Sequence, residues 1–464
     1  MVFQKNNPRV RFLIVALVVA FGLGLRFLHL EKTAIFDADQ ENFAWTAVRL
    51  LEEQRPVLVG LKAGEFPVFI GPLMYYVYAL FLWLFAMDPI GLSYFSLLVA
   101  ILTMMSVFWV GWKSFSYRVG LLAVFLYAFS AYFVQNDPRV WLPGPLILVS
   151  VWIYHLLIQA EQKNLERALV LLGLLFSFGF QLHITALFFL PIIGLGLLMK
   201  GLRPDWRQLL GGGFAAFVGI LPVLLFDLRH EFINLKGWGT LLTKTGETQN
   251  YWHRLIALIR FNLENEVRIF SLPLSGVTLV SAGLLFLVWL VLALGKSRFS
   301  QKLRLAGLWL IVPLVMFLPL KLHTPEYYFI ISFPVLLLVT VCFLVELSQQ
   351  KWLRIPIVLL LVVFFLGNLW MVMTLPTDDL ISLYEKKRVV DYVIDQSQGK
   401  EFTVFYQADR GYNYGYTYLF YWRLGHIPEE QAAADFVVVT PWSYQNPRLT
   451  QRFGAIGVID NSQK

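Results

Sequence analysis

Long apolar runs alternate with short polar ones along this chain. Segments nearly free of charge fall at about 12–30, 66–87, 89–112, 119–135, 140–159, 168–181, 184–199, 208–226, 272–295, 305–320, 327–347 and 355–375. Each is close to the roughly 17–25 residues a helix needs to cross a bilayer, or slightly short of it. After Pro376 the pattern changes. EKKRVVDYVIDQSQ reads as an amphipathic helix, and FTVFYQA and DFVVVTPW read as short buried strands. YNYGYTYLFYWRLG reads as a helix between them and GAIGVID as a third strand. The pattern predicts an all-α polytopic membrane domain over 1–375, followed by a small α/β domain over 376–464. That second unit is near the lower limit for an independent core, so it is expected to lean on the first.

Composition agrees. Of 464 residues 58% are hydrophobic and 15% charged, and the mean hydropathy is +0.64; soluble domains carry roughly 25% charged residues. The first run follows Lys5, Arg9 and Arg11 and lacks a small-residue cleavage site, so it reads as an uncleaved span. The single cysteine, Cys342, lies inside an apolar run, which excludes disulfides and cysteine metal sites. The net charge of +8 is spread over turns between apolar runs, a topological signal and no footprint of nucleic acid.

Those basic residues revise the span count from twelve to eleven. If 66–87 does not cross and the amino terminus is cytoplasmic, the cytoplasmic turns collect Lys113 and Arg118, Lys163 and Arg167, Lys200, Arg203 and Arg207, Lys296 to Arg304, and Lys351 with Arg354. If 66–87 crosses, all of these change sides and only Lys5, Arg9 and Arg11 stay. The segment 66–87 is therefore expected to lie in the outer interface, which suits the Tyr, Trp and Phe of GPLMYYVYALFLWLF. Two long outer loops follow, at about 31–90 and 227–271, and the small domain lies extracytoplasmic. The chain reads as a multi-pass protein of the cell membrane.

The outer side gathers the candidate chemistry. FDADQENFAW places Asp37, Asp39 and Glu41 at the mouth of the first span, where a carboxylate costs several kcal/mol unless it has a partner or a task. Lys62, Asp137 with Arg139, Gln181 with His183, Asp227, Arg260, Arg268, Lys321 and His323 lie in the other outer segments. Arginine and lysine suit a phosphate group, and a carboxylate beside them can take a proton from an attacking hydroxyl. Plainer roles stand beside these: Arg139 and Arg268 as headgroup anchors, His183 as a hydrogen-bonded structural histidine, and the aromatics around Tyr75 as interfacial anchors. No HExxH, HxxxH, GxGxxG, GxSxG or Walker pattern is present, so no metal or cofactor is assigned.

Taken in order, these segments resemble the GT-C superfamily of membrane glycosyltransferases, in particular bacterial relatives of the dolichyl-phosphate-mannose protein mannosyltransferases and lipid A aminoarabinose transferases. DADQENFAW is similar to their first acidic loop, and FPVFIGPLMYYVYALFLWLF to the juxtamembrane helix that follows. GWKSFSYRVGLLAVFLYAFSAYFVQNDPRVWLPG, FQLHITALFFLPIIGL, DLRHEFIN and ADFVVVTPWS continue the likeness over the whole chain. The resemblance implies a GT-C-like fold with about eleven spans. It implies transfer of a sugar from a polyprenyl-phosphate donor to a protein, lipid or glycan acceptor on the extracytoplasmic face. It makes Asp39 the base, with Asp37 and Glu41 as alternates. Donor-phosphate cations are then Arg139, Lys62, Arg260 and Arg268, and substrate contacts are His183, Gln181, His323 and Tyr75. Gln40 stands where the family usually carries a second acid, and Leu142 where close relatives often have asparagine. Two other classes remain open: a transporter or flippase of lipid-linked substrates, and a scaffold acting through 376–464. The lack of an internal repeat and of mid-span charge speaks against the first.

Overall fold

The computed structural model describes residues 8–62, 67–243, 250–294, 300–319, 325–376, 380–442 and 449–462. Six described helices are long and apolar enough to cross a membrane: Pro8–Phe27, Ile90–Ser114, Gln162–Leu182, Ser300–Phe317, Glu326–Leu347 and Lys351–Met373. The pair Trp206–Val218 and Leu221–Arg229, bent by 62°, makes a seventh if it counts as one span. The remaining apolar runs form shorter helices such as Tyr117–Phe129 and Leu146–Gln159, so helix length alone does not yield eleven. Glu326–Leu347 is 89% buried and central, whereas Pro8–Phe27 and Lys351–Met373 are only 22% buried. Their exposed Phe12, Leu17, Val358 and Val363 form an apolar outer surface of the kind that lipid covers.

The bend in the pair has a local cause. Pro222 has no N–H to bond the carbonyl of Val218, and the nearby carbonyl of Gly219 accepts from Gln181 Nε2.

The segment 66–87 becomes helix Leu73–Leu84, twelve residues and so about 18 Å long, too short for a ~30 Å hydrocarbon core. Its first amide, on Leu73, donates to Gln181 Oε1 at the end of helix Leu165–Leu182 (3.0 Å). Tyr75 Oη donates to Asn42 Oδ1 (2.6 Å), just after the first span. At the other end Phe85 stacks on Tyr94, whose ring also meets Phe27 (centroids 4.4 and 6.0 Å). Both ends thus meet the same ends of the neighbouring spans. We call this the juxtamembrane helix.

At the opposite ends of the spans, Lys302 Nζ donates to the carbonyl of Ser114, and Gln162 Nε2 to that of Arg203 (2.9 Å).

The carboxy-terminal unit holds a five-stranded sheet: β1 Thr403–Ala408, β2 Glu429–Glu430, β3 Phe436–Thr440, β4 Gln451–Phe453 and β5 Ile456–Asp460, in the order β2-β1-β3-β5-β4. The β1 strand is parallel to β2 and β3, while β5 runs antiparallel to β3 and β4. Helices Leu383–Ser397 and Tyr416–Leu424 fall where the period-3.6 segments place them, and β2 and β4 are additions too short to read from pattern. Lys387 Nζ holds Asp88 at 2.6 and 2.7 Å, and Tyr418 Oη donates to the carbonyl of Met87 (2.8 Å). The unit therefore rests on the turn after the juxtamembrane helix, beside the acidic loop.

Candidate active site

The acidic loop folds into helix Ala38–Leu51, with Asp37 at its N-cap. Gln40 Oε1 accepts the Asp37 amide (2.9 Å), closing a capping box. Helical geometry then sorts the three carboxylates. Asp37 and Glu41 are four residues apart and share a face, while Asp39 points about 160° away from both.

The shared face meets the carboxy-terminal unit. Asp37 Oδ1 pairs with Lys386 Nζ at 2.7 Å. Glu41, 7% exposed, caps helix Tyr416–Leu424: it accepts from the amides of Gly415 (2.8 Å) and Tyr418 (3.1 Å) and from the Thr417 hydroxyl. Gly415 has φ +94°, and a Cβ there would sit 2.5 Å from the Phe36 carbonyl, so only glycine lets this helix start against the acidic loop.

Asp39 has no hydrogen bond or ion pair among the described residues, and its side chain is open to solvent. It is close enough to act electrostatically on Tyr75 and Tyr78 of the juxtamembrane helix and on Tyr327. Surrounding protein raises its pKa above the usual carboxylate value, and the Asp37 charge adds to that.

The second outer loop is tied to this helix. Gln40 Nε2 donates to the carbonyl of Val140 (2.7 Å), so the residue after Asp39 is bonded to the residue after Arg139. Below the loop a buried network anchors it. Arg26 places Nε and Nη2 on Asp137 Oδ2 (2.8 and 2.7 Å), Tyr127 Oη donates to Asp137 Oδ1 (3.0 Å), and Arg26 also holds the carbonyls of Gly22 and Ala128. Arg139 is exposed and makes no side-chain ion pair or hydrogen bond among the described residues. It lines a small cleft of about 30 Å³ with Asp137, Tyr132 and Trp141. Arg268 lies 5.8 Å from the Tyr132 ring centroid, and Arg139 is the other cation near that tyrosine. Trp141 packs edge-on against Tyr327, which also meets His183 (5.7 and 6.1 Å).

Comparison with known proteins follows from this geometry. Residues 69–226 match the dolichyl-phosphate-mannose-protein mannosyltransferase family. No curated protein matches the chain. Among solved structures, ArnT from Cupriavidus metallidurans bound to undecaprenyl phosphate superposes with TM-score 0.61 at 14% identity, over 96% of this chain and 98% of that one. The archaeal oligosaccharyltransferase AglB from Archaeoglobus fulgidus, in complex with an inhibitory peptide and a dolichol-phosphate, gives 0.51 at 11% identity, over 96% and 70%. The fold is the one seen in ArnT and AglB.

In this chain the expected site residues divide. Asp39 lies near Tyr75 and Tyr327, and Arg139 and Arg268 lie near Tyr132. Tyr75 is buried, gives its hydroxyl to Asn42, and burial pushes its phenol up to about 12, so it stays neutral. Asp37 and Glu41 are taken by the carboxy-terminal unit.

Gln181 is no free substrate ligand. One end of its amide holds Leu73 N, the other holds the Gly219 carbonyl, and a Cβ on Gly71 would collide with it at 1.9 Å. His183 is no cation for a phosphate: burial pushes its pKa down to about 3, and Nδ1 accepts the Thr185 amide (3.3 Å). Arg260 is 59% exposed and paired with Glu264 at 2.7 Å, and Arg268 is shared between Glu264 (3.6 Å) and Glu326 (3.8 Å). Lys62 is exposed on a short ribbon paired with Phe69, a strand that Asn234 holds from helix Ile233–Thr243. His323 and Lys321 lie outside the described residues.

Sequence reasoning missed Lys386, Arg26, Tyr132, Trp141 and Tyr327. Arg26 had a signal, since it is the one charge inside the first apolar run. Lys386 had none, being one of three consecutive basic residues on an amphipathic helix.

Proposed function

We propose that this protein transfers a sugar from a polyprenyl-phosphate donor to an acceptor hydroxyl or amine, with inversion, and that Asp39 is the base. One observation carries the reading. Of the three carboxylates in the acidic loop, Asp39 alone is free of partners among the described residues, and its helix is bonded to the loop that carries Arg139. The relatives support the donor class, since one of the similar structures holds undecaprenyl phosphate and another dolichol-phosphate.

In the reaction the Asp39 carboxylate takes the acceptor's proton as the acceptor atom attacks the anomeric carbon. The bond from that carbon to the phosphate oxygen breaks, and the phosphate leaves with the electron pair on its lipid. The second outer loop holds Arg139 one hydrogen-bonded link from Asp39, so orientation of acceptor and leaving group is built into the fold. Arg139 and Arg268 are the cations placed to balance the phosphate charge. The test is transfer by the purified chain in nanodiscs, offered undecaprenyl-phosphate-linked hexoses and pentoses. Absence of transfer from every such donor, with a folded protein, sinks the reading.

Arg139→Ala should weaken binding of undecaprenyl phosphate by about tenfold or more, the worth of a charge-assisted hydrogen bond. Arg139→Lys should restore only part, because the guanidinium's two-pronged geometry is lost. A headgroup anchor would leave lipid-phosphate affinity unchanged in both variants, and equal affinities decide for that role.

The acidic loop, the Asp137 loop and the carboxy-terminal unit meet at one end of the spans, and Ser114, Lys302, Gln162 and Arg203 at the other. We assign the first end to the extracytoplasmic side on the distribution of Lys and Arg. In whole cells an impermeant thiol reagent should label cysteines introduced at Asn136 or Asp409 and spare those at Ser116 or Lys163. Labelling at Ser116 from outside inverts the assignment.

A further inference from the structure

The carboxy-terminal unit grips the acidic loop through a side chain that the reaction itself does not use. The Lys386 side chain is fully buried. Its ammonium spends all three protons on the acidic loop and its own unit: Asp37 Oδ1 (2.7 Å), the Phe36 carbonyl (2.8 Å) and the Tyr414 carbonyl (2.9 Å), with the Tyr416 ring 5.4 Å away. One turn further on, Glu41 is held by the same unit. Asp39 lies between these two anchors, on the opposite face of the helix.

We propose that Lys386 is a positioning residue for the reaction: it fixes the Phe36–Asp37 corner from which helix Ala38–Leu51 starts and neutralises the carboxylate closest to Asp39. This rests on the reading of Asp39 as the base. A buried cation so fully satisfied is costly to place unless it has a partner, and here the partner is the charge that would otherwise oppose ionisation of Asp39. The groups that face Asp39 are Asp37 at the start of its own helix, Tyr75 and Tyr78 from the juxtamembrane helix, and Tyr327 from the segment Glu326–Ser332. Arg49, one helix face away, acts on Tyr75. None of these is a cation at Asp39 itself, so Lys386, acting through Asp37, sets how readily Asp39 holds a negative charge. The small domain thereby becomes part of the catalytic apparatus without touching substrate.

The full-length protein in nanodiscs can be titrated by infrared difference spectroscopy, with the Asp39 carboxyl band identified by its loss in Asp39→Asn. Lys386→Met should move the Asp39 midpoint to higher pH, because Asp37 is then uncompensated. Asp37→Asn should move it to lower pH, and the double variant should return toward the wild-type value. A lysine that only staples the two units together predicts the wild-type midpoint in Lys386→Met, and that result overturns the proposal. If Lys386→Met alone does not fold, the double variant is compared with Asp37→Asn, whose amide oxygen can still accept from the lysine: the double variant should titrate at higher pH, and equal midpoints overturn the proposal. Failure of the base reading shows separately, as normal sugar transfer by Asp39→Asn.

Discussion

Asp39→Asn should bind donor lipid as the wild type does and lose turnover by roughly 10²–10⁴-fold, the usual worth of general-base help. The substitution is nearly isosteric, and the carboxyl makes no hydrogen bond or ion pair that its loss could break among the described residues. It also removes a charge that the surrounding protein and Asp37 both disfavour, so the thermal midpoint should not fall. The same raised pKa sets the pH profile. The base must be ionised, so activity is present above the raised pKa and is lost as pH falls through it, at a higher pH than an ordinary exposed carboxylate would give. Asp37→Asn and Glu41→Gln should instead disturb the seating of the carboxy-terminal unit, since both carboxylates are spent there. Full turnover in Asp39→Asn with loss in Asp37→Asn would transfer the role to Asp37.

The second large effect is on stability. Arg26→Met should destabilise the protein by about 3–5 kcal/mol, because it strands the Asp137 carboxylate in a buried site. Five hydrogen bonds from one guanidinium join the first span, helix Tyr117–Phe129 and the second outer loop. Removing both charges, as in Arg26→Met with Asp137→Leu, should recover a large share, since no unpaired charge remains. Thermal unfolding in detergent ranks the three forms: wild type highest, the double variant next, Arg26→Met lowest. A single variant as stable as the double one would show that the pair carries no such weight. Undecaprenyl-phosphate affinity should fall in both variants, because the loop holding Arg139 is anchored through Asp137.

Local rules wrote much of this protein plainly. Apolar runs, turn charges and the change of pattern after Pro376 determine a helical membrane domain with a small α/β unit behind it, because burying twenty apolar residues or alternating strand faces is a local demand on sequence. The same rules marked 66–87 as something other than a span, and the helix that forms there, Leu73–Leu84, is twelve residues long. They also picked out DADQENFAW. They could not say which carboxylate was free, because that is decided by partners hundreds of residues away: Lys386 for Asp37, and Gly415 to Tyr418 for Glu41. Nor could they tell that Gln181 is a backbone clamp and Arg26 the anchor of the Asp137 loop. An unpaired carboxylate and a paired one look alike along the chain, and only packing determines which one can exchange its proton with a substrate.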